Sequence, residues 1–94
     1  MEENMIAQSD IEEAERLKRL HVWSIQRGRD LPEHREGWAL QDPVCMVIAP
    51  RLSYCRGDGW WTIEQACLYP TKEMAEAMAN KHSGRKPHVV FVSQ

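Results

Sequence analysis

Arg56-Gly57-Asp58-Gly59 lies between two stretches rich in aromatic and apolar residues, and it constrains the fold more than any other segment. Two glycines around an aspartate supply the positive-φ positions and the short polar side chain that a tight hairpin turn needs. The flanking segments, Leu52 to Arg56 and Trp60 to Tyr69, therefore read as paired antiparallel strands. Alternation along the second puts Trp61, Ile63, Cys67 and Tyr69 on one face, and Trp60, Thr62, Glu64 and Ala66 on the other.

The remaining elements are placed around this hairpin. Ser9-Asp10-Ile11-Glu12 has the pattern of a capping box, and Glu12–Arg16 and Glu15–Arg19 form i,i+4 pairs behind it. Ile11, Ala14, Leu17 and Leu20 recur at threes, which predicts a helix whose apolar stripe drifts around its axis. His21 to Ile25 suits helix or strand; the helical reading, ending near Gly28, is preferred because glycine is a natural C-terminal residue. Arg29 to Gly37 is a polar connector. Val44 to Ala49 is a continuous apolar run between Pro43 and Pro50, and is read as a buried strand. Thr71 caps a helix over Lys72 to His82, Ser83 to Pro87 breaks it, and His88 to Val92 forms the last strand. The order is an N-terminal helix followed by β-β-β-α-β: an α+β fold with an antiparallel sheet and helices packed on it.

The chain has 94 residues, enough for one domain spanning 1–94, with 1–8 expected to be flexible. A chain of this size buries only roughly 60–65% of its unfolded surface, so docking on a larger partner, or forming a homodimer, adds burial it lacks. Its net charge of −2 argues against nucleic-acid binding driven by charge alone. The acidic N-terminus carries no signal-peptide core, and no apolar run approaches the roughly 20 residues of a membrane helix. A cytoplasmic protein without membrane contact is expected, with Cys45, Cys55 and Cys67 reduced.

The cysteines are about ten residues apart, without the close pairing of structural zinc sites, so no metal or other cofactor is expected. Cys67 with His82 or His88 has the composition of a nucleophile pair, but spacing gives neither proximity nor a lowered thiol pKa. No phosphate-binding loop, Gly-x-Ser-x-Gly or His-Glu-x-x-His motif occurs, so catalytic residues are not assigned and a non-enzymatic protein is expected. Four tryptophans are many for so small a core. Trp60 and Trp61 are neighbours and must point to opposite faces of a strand. With Trp61 taken as core, Trp60 faces outwards beside Arg56, Arg51 and Tyr54 unless the helices cover both rings; Arg27 and Arg29 are the next binding candidates.

Gly59-Trp60-Trp61, Tyr69-Pro70-Thr71, Glu73 to Ala79 and His88 to Val92 together resemble a module of small phage and prophage accessory proteins: strand, Pro-Thr, Ala-rich helix, strand. Some of those proteins inhibit host defence machinery, anti-CRISPR proteins among them. The resemblance covers about the last third of the chain and carries over no functional residues. It implies a protein-binding inhibitor of a host protein or defence nucleoprotein complex, acting by steric blocking or by nucleic-acid mimicry through the acidic first helix. The alternative is direct nucleic-acid binding by the hairpin aromatics, the nearby arginines and Arg85-Lys86.

Overall fold

The computed structural model describes residues 7–82 and 86–94. The expected flexible stretch 1–8 therefore falls mostly outside the described residues. Helix α1 runs Gln8–Gln26, starting one residue before Ser9, so Ala7 is the N-cap and the expected serine capping box does not form. The expected i,i+4 pairs are replaced as well. Glu13 pairs with Arg16 at 2.5 Å, and Glu15 reaches Lys81 on the other helix. The helix carries through His21 to Ile25 and stops at Gly28, whose φ of +71° terminates it as expected.

Strand β1 is Glu36–Gln41. The polar connector thus ends earlier than its composition suggests. Antiparallel pairing with β4 (His88–Ser93) over six residues, from Glu36↔Ser93 to Gln41↔His88, turns its last two residues into strand. Val44 to Ala49 is a correction of another kind: Pro43–Ile48 is helix α2, not a buried strand. The Asp42 carboxylate accepts from the Cys45 amide at 2.9 Å, and Pro43 occupies the first helical turn, where its fixed φ and missing N–H cost nothing. A short apolar run cannot by itself separate strand from helix; here the Asp-Pro start decides.

A 3-10 turn at Pro50–Leu52 follows, and the Ser53 hydroxyl donates to the Pro50 carbonyl at 2.8 Å. The turn consumes the start of the expected strand, leaving β2 as Tyr54–Cys55. The hairpin turn is where expected: the Arg56 amide donates to the Gly59 carbonyl at 3.0 Å, and Cys55 faces Trp60 across the ladder. Strand β3 is only Trp60–Trp61, shorter than the expected Trp60–Tyr69, because Ile63–Gln65 forms another 3-10 turn. Arg35 holds that turn, donating to the carbonyls of Ala66 at 2.9 Å and Glu64 at 2.8 Å. Tyr69 then rejoins the sheet through two backbone bonds of 2.8 Å with Trp38. Thr71 caps α3 (Lys72–Asn80) by accepting from the Met74 amide at 3.2 Å, as the sequence predicts.

The result is the expected α+β class. A four-stranded antiparallel sheet, in order β3-β2-β1-β4, carries α1 and α3 on one face. Ala14 of α1 and Ala75, Ala77 and Met78 of α3 join Leu40, Cys55, Cys67 and Tyr69 in the main core; the small side chains let the helices lie close. A smaller cluster of Ala39, Ala66 and Val92 fills the opposite face, closed by Ile63 and Leu68. Gly57 seats the hairpin against α1: a Cβ there would lie 2.6 Å from Val22 Cγ2.

Candidate functional site

Alternation across β3 sends the two adjacent tryptophans to opposite faces, in the reverse of the expected sense. Trp60 shares its face with Cys55 and packs, half-buried, against the main core. Its ring lies 5.5 Å from that of His82. Trp61 is the exposed partner, at 37%. The inversion arises because the 3-10 turn at Ile63 breaks the strand, so Cys67 and Tyr69 reach the helix side by a separate route from Trp61. Trp60→Ala is expected to destabilise the fold by about 2 kcal/mol, below the cost of emptying a fully buried aromatic site, read as a lowered midpoint in urea unfolding.

The other sequence-nominated residues divide among four places. Arg56 is engaged within its own hairpin. It donates to both oxygens of Asp58 at 2.7 and 2.8 Å and to Gln65 at 3.3 Å, with its guanidinium 3.8 Å from the Trp61 ring centre. The same contact holds the Asp58 carboxyl below its usual pKa. Arg27 and Arg29 flank Trp23, which is 43% exposed, with guanidinium carbons 5.3 and 4.9 Å from its ring centre. Arg51 and Tyr54 line a recess of about 160 Å³ with Thr62, Ile63 and Glu64. Of the Arg85-Lys86 pair, Lys86 is exposed and Arg85 lies outside the described residues.

Arg51 leads to the surface that sequence reasoning missed. It also lines a groove of about 410 Å³ with Ala49, Pro50, Leu52 and Thr62. Beside that groove stands α2, no residue of which is fully buried. Val44, Met46 and Leu52 are exposed; Val47 is 85% and Ile48 76% exposed. Side chains of this kind are ordinarily covered, and a contiguous apolar patch with a polar rim marks an interaction surface. The segment is held at both ends. Asp42 caps α2, the Asp42 amide donates to the Ser53 carbonyl at 2.8 Å, and Gln41 donates to the Ser53 hydroxyl at 3.2 Å. The signal in the sequence was Asp42-Pro43 opening an all-apolar hexapeptide: a helix apolar on every side cannot bury all of itself on one sheet edge.

The thiol and imidazole groups show different chemistry. It is Cys55, not Cys67, that approaches His82, with Sγ 4.0 Å from Nε2. Burial pushes the Cys55 thiol up and the Cys67 thiol up to about 11, so both are protonated at neutral pH. Among the described residues no three His, Cys, Asp or Glu side chains gather as metal ligands, and no helix is long and apolar enough to cross a membrane.

His21 of α1 bridges to the 3-10 turn, donating from Nε2 to the Gln65 carbonyl at 2.8 Å. Burial lowers its pKa, and the charges of Arg35 and Arg56 lower it further, against the opposing pull of the Gln65 carbonyl and Asp58. The unfolded chain therefore binds this proton before the folded protein does. Stability is full above the ordinary histidine pKa of about 6.5 and falls as pH drops below it, until the folded-state value is passed. The thermal midpoint is expected to drop more steeply between pH 7 and 5 in the wild type than in His21→Gln.

The chain matches no protein-family model, no curated protein and no solved structure.

Proposed function

We propose that this protein is a non-enzymatic binding module that docks on a larger protein or nucleoprotein complex through α2 and the turn that follows it. The observation that carries the reading is the pair Val47 and Ile48, more exposed than any other large apolar residues described, on a backbone anchored at Asp42 and Ser53. Anchoring matters because a rigid apolar ridge loses little entropy on binding, and what it excludes from water appears as affinity. The groove beside it, with Arg51 at its rim, provides the polar border of such an interface.

The resemblance of the last third of the chain to phage accessory proteins suggests the kind of partner, a host protein or defence complex in the cytoplasm. Steric blocking fits better than nucleic-acid mimicry. Glu13 and Glu15 of α1 are neutralised internally by Arg16 and Lys81, so α1 does not present them as a free phosphate-like row.

A second reading rests on Trp23. An exposed indole between two arginines is a stacking platform for a nucleic-acid base, with phosphates held on either side. The two readings separate in one experiment: affinity capture from a bacterial lysate, with and without nuclease, using wild type, Val47→Asp and the Arg27→Ala/Arg29→Ala pair. A partner that survives nuclease and is lost only with Val47→Asp supports the apolar ridge. Nuclease-sensitive material, lost only with the arginine pair, supports the stacking platform and overturns the first reading.

A further inference from the structure

The sheet ends on β4 with nothing beyond it among the described residues. Natural edge strands are blunted by lysine, proline, a bulge or a cover, because their unpaired backbone recruits other strands. None of those devices lies within His88-Val89-Val90-Phe91-Val92-Ser93, which has no Lys, Arg, Asp or Glu and pairs with β1 residue for residue without a bulge.

The direction of each backbone group follows from the hydrogen bonds just past the strand. Arg35 and Gln94 exchange both amide-to-carbonyl bonds, at 3.0 and 2.8 Å. In an antiparallel ladder such bonded pairs recur at every second residue. Gly37↔Val92, Ala39↔Val90 and Gln41↔His88 are thus the other bonded pairs. The Trp38–Tyr69 exchange agrees, since it shows Trp38 turned the opposite way. Val89, Phe91 and Ser93 therefore point their amides and carbonyls outward, and no described residue receives them.

We infer that β4 is a homodimer interface, in which two copies join antiparallel, edge to edge, around a twofold axis at Phe91. The register is set by symmetry. Phe91 faces Phe91 of the second copy, and Val89 faces Ser93 in both directions, so each outward group finds a partner and six hydrogen bonds can form. Phe91 is 54% exposed, with its ring in edge-to-face contact with Trp38 at 5.3 Å. The second Phe91 covers that exposed ring from the same face of the extended sheet. Charge selects a second copy over a charged peptide: this strand holds nothing to attract one, and pairing with itself brings no like charges together. The surface is separate from the α2 ridge.

Sedimentation velocity over a concentration series tests the dimer, and amide exchange followed by NMR locates it. The expected result is a dimer mass at high concentration, with the Val89, Phe91 and Ser93 amides becoming protected as concentration rises. The Val90 and Val92 amides are protected throughout, being bonded to β1. Ser93→Pro removes an outward donor from each copy while leaving the β1 ladder intact, and is expected to raise the dimer dissociation constant about tenfold. Phe91→Lys places two cations on the axis and is expected to leave monomer only, with an unchanged far-UV spectrum. Val47→Asp keeps the dimer. A wild type that is monomeric at every concentration overturns the proposal, as does a dimer that persists in both β4 variants.

Discussion

Val47→Asp is expected to weaken partner binding by roughly thirtyfold or more while leaving the fold untouched. Val47 contributes almost nothing to the core, being 85% exposed, so the substitution removes little buried area. Its effect on unfolding free energy should stay within about 0.5 kcal/mol, the range of surface changes away from special features. At an interface the same change buries an unpaired carboxylate against apolar partner atoms. Central apolar anchors of that kind cost about 2 kcal/mol or more when lost, roughly a thirtyfold drop in affinity. Titration calorimetry with the captured partner measures the affinity, and urea unfolding of the isolated variant measures stability. The contrast with Trp60→Ala, which is expected to weaken the fold first, separates the ridge from the hairpin face that the sequence favoured.

Tyr69→Ala should give the largest loss of stability. Its ring is buried at the centre of the main core between the sheet and both helices, and its backbone closes the bridge to Trp38. Burial drives the tyrosine pKa far upward, as expected of a phenol kept from water, and the neighbouring Cys67 thiol adds to the shift. Emptying such a site costs about 3–5 kcal/mol in lost transfer energy and residual cavity. For a domain of this size that lowers the melting temperature by tens of degrees, at about 4–8 °C per kcal/mol, and calorimetry reads it directly. Tyr69→Phe keeps the volume and loses only the hydroxyl, so its expected cost is at most about 1 kcal/mol.

Elements governed by local chemistry were legible in the residue order. The long first helix with its glycine stop, the glycine-aspartate hairpin, the threonine cap of α3 and the last strand each depend on side chains within a few positions of the backbone they direct. The antiparallel α+β class follows from those four elements. Tertiary pairing decided what local chemistry left ambiguous. Glu36 and Gly37 looked like connector until six residues of β4, about fifty positions away, supplied a ladder for them. Arg35, by gathering the carbonyls at Glu64 and Ala66, cut the third strand to two residues and so exchanged the exposure of Trp60 and Trp61.

The candidate surface was the least legible part for the same reason. Val44 to Ile48 reads as core because apolarity is a property of composition, whereas exposure depends on which elements remain to cover a segment. With α1 and α3 committed to the far face and a short loop filling the other, nothing described covers α2. Local side-chain chemistry thus determined where the helices and turns begin and end. Only the packed sheet decided which apolar residues lie inside, because burial is shared among segments distant in the chain and no one segment encodes it.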